Sequence, residues 1–154
     1  MSEQQSHAID KSTWDKGEWT SEPDHVAFEH KGVPCIIHRV DTHGGLCGYA
    51  AVEPGHPWHG YEEGSAIEAD VHGGITYAGR CEGAICHVPK PGEPDDVWWL
   101  GFNCAHAGDF SPGYSKHIKS YASTKSRDSV YRTVSFVRAE CERLADQIIA
   151  ARTA

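Results

Sequence analysis

The run Val97-Trp98-Trp99-Leu100-Gly101-Phe102 is the most apolar stretch of this 154-residue chain, and it decides the fold class. Its short length and its aromatic and branched side chains favour a strand inside a sheet over a helix. Successive side chains of a strand point to opposite faces, so the doublet Trp98-Trp99 sends one indole to each side. Core packing is the role that we expect for both indoles.

A hairpin is predicted on the N-terminal side of this strand. Residues 35–40 form a short run rich in β-branched side chains, and residues 46–52 form a second, mostly apolar run. Between them, residues 41–45 end in two glycines, which is typical of a tight turn. We therefore expect two antiparallel strands joined by this turn.

The region between the hairpin and the aromatic run mixes loops with shorter strands. Residues 53–64 are dense in proline and glycine, which indicates an ordered loop, and such loops often carry function. Residues 69–78 predict a third strand interrupted at Gly73-Gly74, and residues 84–88 predict a fourth.

The C-terminal region predicts one long helix. Its apolar side chains recur at steps of three and four and draw a stripe along about six turns. The stripe consists of Val130, Val134, Val137, Cys141, Leu144 and Ile148. Arg127-Asp128-Ser129 offers an N-cap, and the stripe is expected to pack on the sheet, with a dimer seam as the alternative. The fold class is thus α+β: a mostly antiparallel sheet of about four to six strands with long ordered loops and one long C-terminal helix.

The first 24 residues are polar apart from Trp14 and Trp19, which predicts a flexible arm that docks through its indoles, with ordered structure beginning near His25. Residues 25–154 suit one domain, which can be stable as a monomer or as a homodimer. The N-terminus lacks the basic and apolar stretches of a signal peptide, and no apolar window is long enough for a bilayer. We therefore expect no membrane partner and a cytoplasmic location.

Charge and cysteine content narrow the function classes. The net charge is −8 and the Lys and Arg residues are scattered, so nucleic-acid binding is not expected. Six cysteines are too few for a disulfide scaffold at this length and would be thiols or metal ligands in a reducing compartment. Cys35, Cys47 and Cys141 lie in apolar patterns and are expected to be structural, whereas Cys81 and Cys86 flank a short loop and could form a redox pair.

Two short segments bring together side chains that carry chemistry. Directly after the aromatic run comes Asn103-Cys104-Ala105-His106-Ala107-Gly108-Asp109. Cys104 and His106 would project to one side of an extended chain, and Gly108 would let the backbone turn Asp109 back toward them. The second segment is Asp70-Val71-His72-Gly73-Gly74, in which Asp70 and His72 share one face. If the two segments meet, they form a ligand or catalytic pocket.

The donor types in this pocket favour a small metal-dependent hydrolase. Imidazole, thiolate and carboxylate are ligands that suit zinc or a similar divalent ion. Three protein ligands and a water would lower the pKa of that water to about 7 and prepare it to attack an amide, ester or phosphate. The expected metal ligands are His72, Cys104, His106 and Asp109, with Asp70 as a further catalytic residue. The substrate, a small molecule or a peptide, is left open, and the spacing matches no established zinc signature.

Other interpretations of the same residues stay open. Histidines beside glycine turns can instead satisfy buried backbone carbonyls, which is the favoured interpretation for the loop histidines His56 and His59. A metal-free hydrolase or transferase would use Cys104 as nucleophile, His72 or His106 as base, and a carboxylate, Asp109 or Asp70, to orient it.

A non-catalytic binding module is the alternative from a different class. It would recognise a host protein or a small molecule through the aromatic loop around Trp58 and Tyr61, because exposed aromatic side chains commonly carry interface energy. In that loop His56, Trp58 and His59 would be the ligand-contacting residues.

Several motifs carry a resemblance that covers most of the chain from Gly32 to about Leu144. They are Gly32-Val33-Pro34-Cys35, Cys47-Gly48-Tyr49, Gly55-His56-Pro57, Asp70-Val71-His72-Gly73-Gly74-Ile75-Thr76-Tyr77, Trp98-Trp99-Leu100-Gly101-Phe102, Cys104-Ala105-His106-Ala107-Gly108-Asp109 and Tyr131-Arg132. With these motifs the chain resembles a family of uncharacterised proteins encoded by bacteriophages and bacteria. The resemblance implies a phage or bacterial origin, and hence the cytoplasm of a bacterium or of a phage-infected host as the expected location. It implies no activity and no catalytic residue.

Overall fold

A computed structural model describes residues 3–61, 67–80, 97–106, 108–113 and 130–152 of the chain. Three predicted features lie outside these ranges: the strand at residues 84–88, the pair Cys81 and Cys86, and the N-cap at residues 127–129.

The described residues form an α+β fold, as predicted, with one antiparallel sheet of six strands in the order β1-β2-β3-β4-β6-β5. The elements are β1 (Gln4–Ser6), a 3-10 helix (Glu18–Thr20), β2 (His25–His30), β3 (Val33–Arg39), β4 (Leu46–Val52), β5 (Tyr77–Arg80), β6 (Trp98–Asn103) and α1 (Val134–Ala151). Among these elements no helix combines the length and the apolar composition needed to span a bilayer.

The aromatic run forms β6, which lies between β4 and β5 inside the sheet, so the prediction of an internal strand is confirmed. Trp98 joins the core under α1, whereas Trp99 is fully buried in a second cluster with Ile36 and Tyr49 on the other face. The two indoles therefore pack on opposite sides of the strand, as the alternation of side chains requires.

The predicted hairpin is also confirmed: β3 and β4 pair antiparallel, with Ile36 opposite Tyr49. The turn between them places Gly44 at φ +76°, a backbone conformation that residues with a Cβ rarely adopt.

The helix packs on its own sheet but begins later than predicted. The side chain of Thr133 caps it by accepting a hydrogen bond from the Phe136 backbone N–H at 3.1 Å. Val130 lies outside the helix, is 48% exposed and forms an isolated bridge with Asp109, so its place in the apolar stripe was wrong. The stripe from Val137 onward is fully buried in the core, which leaves it unavailable as a dimer seam. The helix has 18 residues, about five turns.

The third strand is shorter than residues 69–78. It begins at Tyr77, because Gly73 and Gly74 have φ values of +73° and +82° that an extended strand does not allow. The backbone N–H of Gly74 instead donates to the carbonyl of Val71 at 2.9 Å and closes a tight turn. This turn presents His72 at the end of the sheet.

Regular secondary structure begins before His25, because β1 pairs antiparallel with β2. The two indoles of the N-terminal segment are buried: Trp14 is 6% exposed and Trp19 is 9% exposed. Trp19 packs against Phe110 at a ring separation of 5.4 Å. Docking through the indoles thus matches the expectation, and the flexibility of the segment stays a prediction.

Candidate metal centre

Antiparallel pairing of β5 with β6 brings the two predicted segments together. The chain enters β5 at the same end of the sheet at which it leaves β6, and Thr76 donates its backbone N–H to the Gly101 carbonyl at 2.8 Å. His72 precedes β5, and His106 and Asp109 follow β6. One ligand atom from each of these three side chains lies within 4.8 Å of the others. Among the described residues, theirs is the only group of three or more His, Cys, Asp or Glu side chains close enough together to hold a metal ion.

The carboxylate of Asp109 is the centre of this cluster. Its side chain is 1% exposed, and it accepts hydrogen bonds from Arg132 Nε at 2.8 Å, from His72 Nε2 at 2.9 Å and from the His106 backbone N–H at 3.0 Å. Burial by itself would raise the pKa of this carboxyl, but these donors outweigh it, so the pKa of Asp109 is lowered. Asp109 is therefore a charged carboxylate at neutral pH.

The imidazole of His106 carries an unsatisfied nitrogen. Its Nδ1 is buried and has no hydrogen-bond partner within the described residues, and it lies 3.6 Å from Oδ2 of Asp109, which is too long for a hydrogen bond. A Cβ placed on Gly73 would come within 2.2 Å of Cε1 of His106, so the turn backbone packs directly on the ring. Buried nitrogens without a partner are rare, and an ion that binds there is one of the accepted explanations.

His72 is held by the helix. Its backbone N–H donates to Oε1 of Glu140 at 2.8 Å, and its ring meets the ring of Phe136 edge-on at 5.2 Å. Glu140 is 8% exposed and its other carboxylate oxygen accepts a hydrogen bond from Arg143 at 2.7 Å. The position of His72 thus depends on α1 as well as on the glycine turn.

Backbone hydrogen bonds with Val130 hold the segment that carries Asp109. The Val130 backbone N–H donates to the Gly108 carbonyl at 2.7 Å, and the Phe110 N–H donates to the Val130 carbonyl at 2.9 Å. Gly108 has φ +91°, which produces the predicted return of the backbone toward His106.

Arg132 and Glu140 support the cluster and were not predicted from the sequence. Glu140 had a detectable signal: it stands three residues after Val137 and four before Leu144, so a carboxylate interrupts the apolar stripe. Arg132 had none, because its partner Asp109 lies 23 residues away.

Two predicted site residues lie away from the cluster. Cys104 is 2% exposed in the core under α1 and does not belong to the group that could hold a metal ion. Burial raises the pKa of its thiol, so the thiol is not suited to act as a nucleophile. It does not share a side with His106, because β6 ends at Asn103 and the alternation of a strand stops there. The side chain of Asp70 is 88% exposed and forms an ion pair with Arg143 at 2.8 Å.

The loop at residues 53–61 is anchored by His56. Its Nε2 donates to the Ile148 carbonyl at 2.7 Å and its Nδ1 accepts the Trp58 backbone N–H at 3.0 Å, so His56 satisfies backbone groups as favoured above. The ring of His59 lies 5.7 Å from that of Trp98. Trp58 packs against the core, and Tyr61, 46% exposed, is the more accessible of the two aromatic residues predicted as an anchor.

Comparisons of the chain with protein-family models, with curated proteins and with solved structures gave no significant match. The functional argument therefore depends on the geometry of His72, His106 and Asp109.

Proposed function

We propose that this protein is a metal-dependent hydrolase that binds zinc, or another divalent ion, through His72, His106 and Asp109. Two imidazoles and one carboxylate are a ligand set found in catalytic zinc sites, where they leave coordination positions for water and substrate. The turn at Gly73-Gly74 and the hydrogen bond from the His72 backbone N–H to Glu140 hold His72 in position.

The distances within the cluster support this proposal. Ligand atoms bound to one zinc ion at the usual 2.0 to 2.1 Å are separated by roughly 2.9 to 3.6 Å. His72 Nε2 lies 2.9 and 3.0 Å from the two oxygens of Asp109, where a bound ion would take the place of the proton in this hydrogen bond, and His106 Nδ1 lies 3.6 Å from Oδ2. The unpartnered Nδ1 of His106 is the single observation that carries the proposal, because a metal ion would give this buried nitrogen its missing partner.

Arg132 gives the cluster a fixed positive charge. It offsets the negative charge of Asp109, which is nearly inaccessible to solvent, and its own side chain is 26% exposed. A bound divalent ion would supply a Lewis acid and an activated water. Beside it, the guanidinium of Arg132 is placed to hold a polar or anionic substrate group, such as the oxygen atoms of an ester, an amide or a phosphate.

Metal content and calorimetric titration test the metal-binding part. Protein purified without chelator is analysed for transition metals, and then apo-protein is titrated with Zn²⁺. His106→Ala and Asp109→Asn should abolish the high-affinity event. Asp70→Asn and Cys104→Ala are matched controls that remove a potential donor outside the cluster and should retain it. Metal content below roughly a tenth of an equivalent after reloading would overturn the proposal.

The identity of the metal and the reaction need separate tests. Two histidines and one carboxylate are also the ligands of non-haem iron(II) centres, so Fe²⁺ and Mn²⁺ are titrated anaerobically beside Zn²⁺. A strong preference for Fe²⁺ would contradict the zinc assignment. Chromogenic ester, amide and phosphate substrates then test hydrolysis: turnover by loaded wild-type protein but not by Asp109→Asn supports it, and no turnover of any of them counts against it.

A further inference from the structure

A second pair of histidines lies on the opposite face of the sheet from α1. His25 of β2 stands directly opposite His38 of β3 in the antiparallel register. Their neighbours Val26 and Ile37 point into the core under α1, so the two imidazoles project from the other side. The site is therefore separate from the cluster at His72, which packs against α1.

The two rings face each other through the same atom. Nδ1 of His25 lies 3.4 Å from Nδ1 of His38, with ring centroids 5.5 Å apart and an interplanar angle of 69°. Ordinary N–H hydrogen bonds are about 2.7 to 3.2 Å long, so this contact is a weak hydrogen bond at best. Burial lowers the pKa of both histidines, which keeps the imidazoles neutral and their lone pairs available at neutral pH.

We propose that His25 and His38 form a second binding site for a divalent transition-metal ion, with both Nδ1 atoms as ligands. Two nitrogens that bind one tetrahedral zinc ion at 2.0 to 2.1 Å lie about 3.4 Å apart, which equals the separation found here. Neutral imidazole is the form of histidine that ligates metals. Water molecules would complete the coordination shell.

The surroundings of the pair favour a cation. The negative charges of Asp41 and Asp24 act on His38, and both raise its pKa against the larger effect of burial. Asp24 is already paired with Lys11 and Arg39, which leaves Asp41 as the carboxylate that adds attraction for a positive ion.

Zn²⁺ titration of variants tests this site without relying on the proposed function. In a background of His72→Ala with His106→Ala, about one equivalent of Zn²⁺ should still bind, as measured by calorimetry. Adding either His25→Ala or His38→Ala should then weaken that event by at least about tenfold. Complete absence of Zn²⁺ binding by the background variant would overturn the second site.

Controls separate this site from a general histidine effect and from unfolding. His30→Ala removes a histidine from the same strand β2 and should leave the Zn²⁺ event intact. His38→Gln retains a polar side chain, and circular dichroism must show that it remains folded while Zn²⁺ binding is lost. If Zn²⁺ still binds after both His25 and His38 have been replaced, the proposal is wrong. If the His72 cluster fails to bind metal, His38→Ala alone should remove the remaining equivalent from otherwise wild-type protein.

Discussion

At the scale of single residues, Gly73 is the position where the site tolerates a side chain least. Its φ of +73° is unfavourable for any residue with a Cβ, and that Cβ would lie 2.2 Å from the ring of His106. We expect Gly73→Ala to displace His106 and to weaken Zn²⁺ binding by at least about tenfold, measured by calorimetry.

Gly74→Ala is the matched control for this prediction. Gly74 has φ +82°, and a Cβ there would meet no described atom within 4 Å. Both variants should lose about 1 to 2 kcal/mol of unfolding free energy from backbone strain, but Gly74→Ala should retain Zn²⁺ affinity. Equal losses of affinity in both variants would show that the contact with His106 is unimportant.

Asp109 should make the stability of the metal-free protein depend on pH. Its pKa is lowered in the folded state, so its hydrogen bonds stabilise the protein above the ordinary carboxyl pKa of 3.8, and this stabilisation is lost as pH falls through the lower folded pKa. Asp109→Asn should cost about 1.5 to 3 kcal/mol at pH 7, measured by urea unfolding. The gap in unfolding free energy between the variant and the wild type should close as pH falls below 3.8 and through the lower folded pKa of Asp109. A gap that is constant with pH would contradict this role.

His72 and Asp109 were predictable as candidate ligands because each stands beside a glycine that turns the backbone, and His106 stands two residues before Gly108. Cys104, predicted as their partner, is not part of the group that could hold a metal ion, since the direction of a side chain beyond the end of β6 depends on bends that the sequence pattern does not reveal. Asp70 was included for its position two residues from His72, but an ion pair with Arg143 of α1 holds it at the surface.

At the scale of elements, α1 connects the core to the site through Glu140. Because Oε1 of Glu140 accepts the His72 backbone N–H, Glu140→Ala should leave that donor unsatisfied and let the turn move. We expect Zn²⁺ affinity to fall by about 10- to 100-fold, as for other residues that orient ligands. Calorimetric titration measures the change.

The conservative variant distinguishes positioning from mere loss of helix stability. Glu140→Gln retains an oxygen that can accept the His72 N–H, so it should restore most of the affinity. Glu142→Ala removes a 40% exposed carboxylate from the same helix and should leave Zn²⁺ binding unchanged. Weak binding by Glu140→Gln, equal to that of Glu140→Ala, would count against the hydrogen bond.

The sequence predicted those elements whose pattern of apolar residues is local. It did not predict element boundaries that depend on contacts between residues far apart in the chain. The hairpin, β6 and most of α1 follow from periodicity. The helix start was misplaced because Val130 fits the apolar period but pairs with the backbone around Asp109, 21 residues earlier in the chain. Thr133, which caps the helix, stands just before its first turn and offered a usable signal.

At the scale of the whole molecule, Arg39 joins parts of the chain that are far apart in sequence. It is fully buried, and it donates to Asp24 Oδ1 at 2.8 Å, to the Gly44 carbonyl at 2.9 Å and to the Tyr131 hydroxyl at 2.7 Å. The N-terminal segment, the hairpin turn and the residues before α1 thus meet at one guanidinium. Periodicity cannot reveal such a contact, because Arg39 and Tyr131 are 92 residues apart.

Replacing Arg39 should therefore destabilise the entire fold. Arg39→Met leaves the carboxylate of Asp24 in a buried position without this partner, which should cost about 3 to 5 kcal/mol at pH 7 in urea unfolding. Arg152→Ala breaks an ion pair with Glu53 in which the arginine is 40% exposed, and it should cost less than about 1 kcal/mol. Similar losses of unfolding free energy in Arg39→Met and Arg152→Ala would exclude a central role for Arg39.

The pH dependence of the stability lost in Arg39→Met identifies the cause of that loss. Burial raises the pKa of Asp24, but hydrogen bonds from Lys11, the Ile9 backbone N–H and Arg39 outweigh it, so the pKa is lowered in the folded state. Stabilisation by such a carboxylate is present above its ordinary pKa of 3.8 and disappears as pH falls through the folded value. The difference in unfolding free energy between wild type and Arg39→Met should consequently shrink in acid, and a difference that stays constant with pH would mean that lost packing, not charge pairing, dominates.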